Sequence, residues 1–301
     1  MKSILLLILI IIAIPALCIA SDNNTTIKNE FVTVQFERPL KKVAETVIKM
    51  YPEIKLDIEK RFQSDINFAP TIRLIKDRGS FQKMIHSGPV VAVAISKSNL
   101  IIIDNSKMKT QPFSLGTTLK HELCHLFLHQ YVDKGNLPRW LNEGICQNIS
   151  DGIAEIMIGE HKNLLKQAVL SGRLLPMNSL ERRFPPEDRP LLLAYEQSKS
   201  FVEYIESKYG NESIVFILNY LREGNDIRSS VQLALSVPFA DLEKSWKNNL
   251  KTRITWLTYV SSHIYQILFV MAAMFMVYGF IRFWIRKRNY RDEDDDEFIP
   301  E

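Results

Sequence analysis

His121-Glu122-Leu123-Cys124-His125, followed downstream by Trp140-Leu141-Asn142-Glu143-Gly144, is the stretch on which the reading of this 301-residue chain turns. On a helix His121 and His125 lie four residues apart, so both imidazoles leave the same face. That spacing lets two neutral nitrogens reach one zinc ion, while Glu122 turns toward a water on the open side of the metal. A third ligand must come from elsewhere. Glu143, eighteen positions after His125, fits that part, with a turn and a second helix filling the gap.

The helix frame around the motif is consistent. Ser114 is placed to act as N-cap, and Leu115, Leu119, Leu123 and Leu126 recur at helical spacing on one core-facing stripe. Continuation past Leu128 and His129 is broken by Asp133, Gly135 and Pro138. Three protein ligands leave one zinc position for water, whose pKa the metal lowers toward neutrality. Glu122 then serves as general base and returns the proton to a leaving amine. This combination hydrolyses peptide bonds.

Cys124 and Cys146 are not needed as ligands, because two His and one Glu already fill a catalytic set. They are either small buried hydrophobes or a disulfide pair. His86, His129, His161 and His263 lack partners at ligand spacing. No Gly-rich phosphate loop, G-x-S-x-G elbow or Cys-His dyad is visible.

The composition is 46% hydrophobic with a net charge of +4, and no basic stripe interleaved with aromatics occurs, which argues against nucleic-acid binding. Two apolar stretches stand out. Lys2, the run Ile4 to Ile14 and the small-residue end near Cys18-Ile19-Ala20 make a signal peptide cleaved after Ala20. A lipidated Cys18 and an uncleaved anchor are the alternatives. The second stretch, Ile264 to Ile281, would span about 27 Å as a helix, close to the thickness of a bilayer core. Trp256, Tyr259 and Tyr265 edge it on one side and Phe283 and Trp284 on the other. Arg282, Arg286, Lys287 and Arg288 follow, so this end is expected in the cytoplasm and residues 21–255 outside it. The acidic run Asp292 to Glu297 is expected to be a solvated, disordered cytosolic end.

Between these stretches the pattern is α+β. Residues 21–29 are polar and expected to be disordered. Strands are expected at Phe31–Phe36, Pro70–Ile75, Val90–Ile95 and Leu100–Ile103. A helix should open at Pro39 and run to about Ser64, with Pro52 kinking or splitting it, and a short helix should cover Ser80 to Ile85 before Gly88-Pro89. From Arg139 onward the pattern is helical at 139–151, 160–171, 190–208, 211–223, 226–235 and 239–255, with Gly210 and Gly224 as stops. Leu175 to Pro190 is a connector. Four strands before the motif helix and none after it argue for a sheet packed over that helix.

The motif pair, the strands from Gly88 to Asp104, the Leu137-Pro138-Arg139-Trp140 lead-in, and Tyr195-Glu196-Gln197-Ser198 with Phe201, Val202, Tyr204, Tyr209 and Gly210 together resemble the gluzincin metallopeptidases. Specifically, the chain resembles the peptidase MA-like family of bacterial extracytoplasmic proteins, over roughly residues 70–255. The resemblance implies a zincin-like domain, a small N-terminal sheet over an active-site helix with a helical C-terminal half, to which the apolar stretch Ile264 to Ile281 adds one C-terminal transmembrane helix. It implies Zn2+ as cofactor and peptides or proteins as substrates. It also implies an oxyanion stabiliser from the helical half, for which Tyr195 is the candidate and Tyr204 and Tyr209 compete. Gln147 stands where thermolysin-like enzymes carry an acidic partner to a ligand His, and Asn142 is the alternative for that supporting position. The edge strand near Val90–Ile95 is either a peptide-pairing edge or a plain core strand.

The sequons at Asn23, Asn24, Asn148 and Asn211 matter only in a eukaryotic secretory route, against which the bacterial resemblance argues. The expected organisation is a signal peptide at 1–20, an N-terminal strand and helix region at 21–69, a metallopeptidase domain at 70–255, a membrane helix at 260–281 and a cytoplasmic tail at 282–301. An intramembrane protease is disfavoured, because Lys109, Lys120 and Asp133 flank a motif helix too short to cross a bilayer. A catalytically silent domain that binds envelope proteins or peptides is the competing class. The intact Glu122 and full ligand set favour the enzyme.

Overall fold

A computed structural model of the chain describes residues 24–86, 90–109, 113–132, 137–150, 164–262 and 264–295. The expected signal peptide, Gly88-Pro89, the helix breakers Asp133 and Gly135, His161 and His263 lie outside the described residues. The chain forms two compact units, the first closing at Phe127 and the second starting at Leu128.

The first unit is built on a five-stranded sheet of β1 (Asn24–Lys28), β2 (Thr33–Glu37), β3 (Thr71–Ile75), β4 (Ala92–Ile95) and β5 (Leu100–Asp104). Their order across the sheet is β1-β2-β3-β5-β4. β2, β3 and β5 run parallel, and β1 and β4 close the two edges antiparallel, with Asn24 opposite Glu37 and Ala92 opposite Ile103. β5, flanked by β3 and β4, buries Ile101, Ile102 and Ile103 in succession, as a strand covered on both faces must. Edge-proximal β2 alternates, burying Val34 and Phe36.

β1 departs from expectation, since the polar residues expected to be disordered form a strand. Asn29 explains it. Its side-chain oxygen accepts the N–H groups of both Phe31 and Val32 at 2.9 Å, which turns the chain and returns Thr25-Thr26-Ile27 against β2. The sheet therefore has five strands where four were expected.

Helix α1 (Lys41–Phe62) carries the crossover from β2 to β3 and continues through Pro52 as one helix. Its face of Ala44, Val47, Tyr51, Ile54, Ile58 and Phe62 is buried, which holds the helix together across the lost backbone bond. α2 (Arg78–Ile85) is capped by Asp77, which accepts from Ser80 N–H at 2.9 Å, and packs Phe81 against Ile75 and Ile102. The motif helix α3 (Leu115–Tyr131) starts as expected, with Ser114 Oγ accepting the Thr117 N–H at 3.2 Å. α3 lies against α1 through Phe62 stacked on Phe127 at 4.8 Å and Lys120 paired with Asp57 at 3.0 Å. Leu119, Leu123, Leu126 and Phe127 are all buried.

The second unit is helical: α4 (Arg139–Ile149), α5 (Leu164–Ser171), α6 (Asp188–Tyr209), α7 (Ser213–Arg222), α8 (Ile227–Leu235) and α9 (Phe239–Ser262). Gly210 and Gly224, at φ 93° and 97°, end α6 and α7 as expected. Trp140, Phe201, Phe239 and Trp246 form an aromatic core under α4, with Trp140 and Phe201 centred 5.0 Å apart. α10 (Ile264–Asp295) follows, and its segment Ile264–Trp284 is long and apolar enough to cross a membrane, with none of its described residues buried within the chain. The acidic run expected to be disordered is helical as far as Asp295.

Candidate metal centre

The i, i+4 geometry of α3 brings the Nε2 atoms of His121 and His125 to 3.0 Å, with the rings edge to face at 88°. Two facing ring nitrogens that close either share one proton or share one cation. Nitrogens bound to the same tetrahedral zinc stand roughly 3.3 Å apart, so the pair is near the required separation. Glu143 on α4 completes the set: His121, His125 and Glu143 each offer one ligand atom, and all three lie within 4.8 Å of one another. Glutamate, with three side-chain torsions, is the adaptable donor. His121 and Glu122 are buried and Glu143 is 7% exposed. Carboxylates this dry need countercharge, which a divalent ion supplies. The donor set therefore fits zinc.

Glu143 is placed by how α4 starts. Pro138 precedes the first turn, and the Arg139 N–H donates to the Glu181 carbonyl at 2.7 Å. Arg139 then sets its Nε 3.6 Å from Glu143 Oε1 and its guanidinium over the Phe184 ring at 4.8 Å. The other face of this small assembly is Tyr195, whose ring meets Phe184 edge to face at 5.0 Å. Tyr195 is buried, at 3% exposure. Arg139, Glu181 and Phe184 are positioning residues that sequence reasoning missed. Arg139 appeared there only as part of a lead-in, and no local pattern connects it with residues 181–184.

The other expected site residues are distinct in setting. Asn142 accepts from the Cys146 thiol at 3.8 Å. Cys124 and Cys146 are both buried and not joined to each other, so the disulfide alternative is not realised. Gln147, one turn after Glu143, is fully buried, and neither end of its amide has a hydrogen-bond partner among the described residues.

The Tyr195-Glu196-Gln197-Ser198 signature is structural in most of its members. The Gln197 amide clamps both backbone groups of Leu175, at 2.8 and 2.9 Å, and Glu196 accepts the Leu165 N–H at 2.7 Å. Burial pushes the Glu196 carboxyl above the usual glutamate range, partly offset by the Leu165 N–H. The folded state therefore holds this proton more tightly than the unfolded chain. The resulting stability is complete below the ordinary glutamate pKa and is lost as pH rises through the raised one. Glu196→Gln keeps an acceptor for Leu165 and removes the charge. It should raise Tm by about 2 °C at pH 7 and leave it nearly unchanged near pH 4. Thermal melts at both pH values decide, and equal shifts at both would contradict the assignment.

A buried His-His-Glu group beside a glutamate, in a mixed fold with a small sheet followed by helices, defines a metallopeptidase-type domain. Comparison with known proteins agrees. The profile of the Peptidase MA superfamily matches residues 81–252, and the chain belongs to that superfamily. No curated protein sequence matches it. Among solved structures it is similar to yeast LTA4 hydrolase in complex with bestatin, at 15% identity and TM-score 0.43, over 77% of this chain and 37% of that one. It is also similar to Legionella pneumophila aminopeptidase A in complex with aspartic acid, at 13% identity and TM-score 0.42, over 74% of this chain and 27% of that one. The chain thus spans well under half the length of either protein.

Proposed function

We propose that this chain is a membrane-anchored, zinc-dependent metallopeptidase in which His121, His125 and Glu143 hold the ion and Glu122 is the general base. The gathering of the three ligand atoms, with Glu122 next to His121 on the same helix, is the observation that carries this reading. A bound zinc would supply Lewis acidity, lowering the pKa of water and polarising the amide carbonyl. Glu122 accepts a proton at its carboxylate and returns it to the departing amine nitrogen. Its buried setting excludes bulk water and strengthens every charge interaction there. Tyr195 is assigned as donor to the developing oxyanion, supported by its linkage through Phe184 and Arg139 to Glu143.

Residues 21–255 are assigned to the extracytoplasmic side, with residues 1–20 as signal peptide. The segment Ile264–Trp284 is the anchor, and the cluster Arg282, Arg286, Lys287 and Arg288 faces the cytoplasm. Cleavage of a mixed peptide library by the purified full chain, lost on chelation and restored by zinc, is the expected result. Bound zinc without cleavage of any peptide would instead identify a binding domain.

Gln147 is proposed, from its place one turn after Glu143 on α4, to support a ligand once an ion is bound, since neither end of its amide is otherwise engaged among the described residues. An amide buried without partners costs stability, so an isosteric apolar replacement should be tolerated by the fold. Gln147→Leu is expected to melt at or above the wild-type temperature while zinc affinity falls about tenfold or more. Unchanged zinc affinity, measured by competition with a chelator, would remove Gln147 from the site.

A further inference from the structure

Beside Glu143 the helical unit opens a pocket of about 350 Å3 whose wall includes His129, Arg139, Asn142, Glu143, Glu181 and Arg182. That volume is at the small end for ligand pockets and suits one side chain or chain end rather than a cofactor. Its charges are unequally committed. Glu143 belongs to the ion in the reading above, on which this inference rests. Glu181 Oε1 is engaged by Arg228 at 3.2 Å, and its backbone carbonyl by the Arg139 N–H. Arg139 lies over the Phe184 ring, with its Nε 3.6 Å from Glu143. Once Glu143 donates to a cation, the attraction between that carboxylate and Arg139 weakens. Arg182 is exposed, and no ion pair joins it to a carboxylate among the described residues. With both carboxylates committed, the pocket presents two guanidinium groups a short distance from the reacting centre.

We infer that this pocket is a substrate subsite that selects peptides carrying a carboxylate near the scissile bond, with Arg182 as the specificity-determining residue and Arg139 as its support. A guanidinium recognises carboxylates through two parallel N–H donors, and pairs of this kind are the strong ones when water is partly excluded. The carboxylate could be an Asp or Glu side chain or the free C-terminus of a short peptide. Both have the same chemistry, and the substrates used in the test separate them.

The experiment uses the full chain in detergent with three matched peptide sets. One has Glu or Asp within two residues of the scissile bond and blocked ends. The second has Gln or Asn at the same places. The third is neutral with a free C-terminal carboxylate. Wild type should cleave the first or third set at least several-fold faster than the second. Arg182→Gln should lower kcat/KM for the preferred set about tenfold through KM, collapsing the ratio toward one. Arg182→Glu should invert the preference, so that the Gln or Asn set is cleaved faster than the carboxylate-bearing set that wild type prefers. Arg183→Gln, an exposed neighbour that does not line the pocket, should leave the ratio as in wild type.

Binding of labelled Glu and Gln peptides to Glu122→Gln, with and without Arg182→Gln, gives a second readout that needs no turnover. Equal handling of all three sets by wild type, or equal effects of Arg182→Gln and Arg183→Gln, would overturn the subsite while leaving the peptidase reading intact. Failure to cleave any peptide would overturn the peptidase reading. A Glu-over-Gln binding preference lost with Arg182 would in that case still establish the pocket, and its absence would sink the pocket too.

Discussion

Glu122→Gln is expected to abolish peptide hydrolysis while leaving the metal in place. Glutamine matches the volume of glutamate, so the packing around this 1%-exposed side chain is kept. What is lost is a carboxylate able to take and return a proton. General-base contributions of this kind amount to about 10²–10⁴ in rate, and the loss should fall on kcat with KM little changed. His121, His125 and Glu143 are untouched, so zinc content should match wild type. Removing a buried charge should not lower stability, which keeps a folding defect from being mistaken for a catalytic one. A variant retaining more than about a tenth of wild-type activity would remove Glu122 from the proton transfer.

Gly144→Ala should damage both the fold and the centre, although alanine is the better helix former by about 1 kcal/mol. A Cβ at Gly144 would meet the Ser198 carbonyl oxygen at 2.4 Å and Val202 Cγ2 at 2.7 Å. Val202 can adjust, but a backbone oxygen inside α6 cannot. The two helices must move apart, and overpacking of this kind costs about 1–3 kcal/mol or more. We expect Tm to fall by roughly 4–8 °C and zinc affinity to drop, because Glu143 is the adjacent residue on α4. Adding Val202→Ala should restore little, since the carbonyl contact remains. A Gly144→Ala chain with wild-type Tm and zinc affinity would show that α4 and α6 are less tightly fixed than this contact requires.

The motif helix and the gathering of His121, His125 and Glu143 were legible because they depend largely on short-range periodicity. Ser114, the leucine stripe and the two histidines are set by helical spacing alone, and Glu143 follows at a separation that a turn and one helix satisfy. β2 to β5 announced themselves through β-branched runs. β1 did not, because its existence depends on one side chain, Asn29, capturing two backbone N–H groups and returning a polar segment to the sheet edge. The setting of Glu143 was also invisible. Arg139 meets Glu181 and Phe184 more than forty positions away, and Tyr195 joins them from α6. Such contacts are decided by tertiary packing, which no local pattern encodes. The cysteines illustrate the same limit: their spacing allowed a pair, and the fold buries them as separate thiols.

The central claim is that His121, His125 and Glu143 form one metal site, and zinc stoichiometry tests it most directly. Full-length wild type and Glu143→Ala would be purified in parallel and their zinc determined by elemental analysis, with melting curves showing that both are folded. The expected result is one zinc per wild-type chain and none retained by Glu143→Ala after dialysis. A folded wild-type chain that takes up no zinc, or a Glu143→Ala chain that keeps it, would contradict the account.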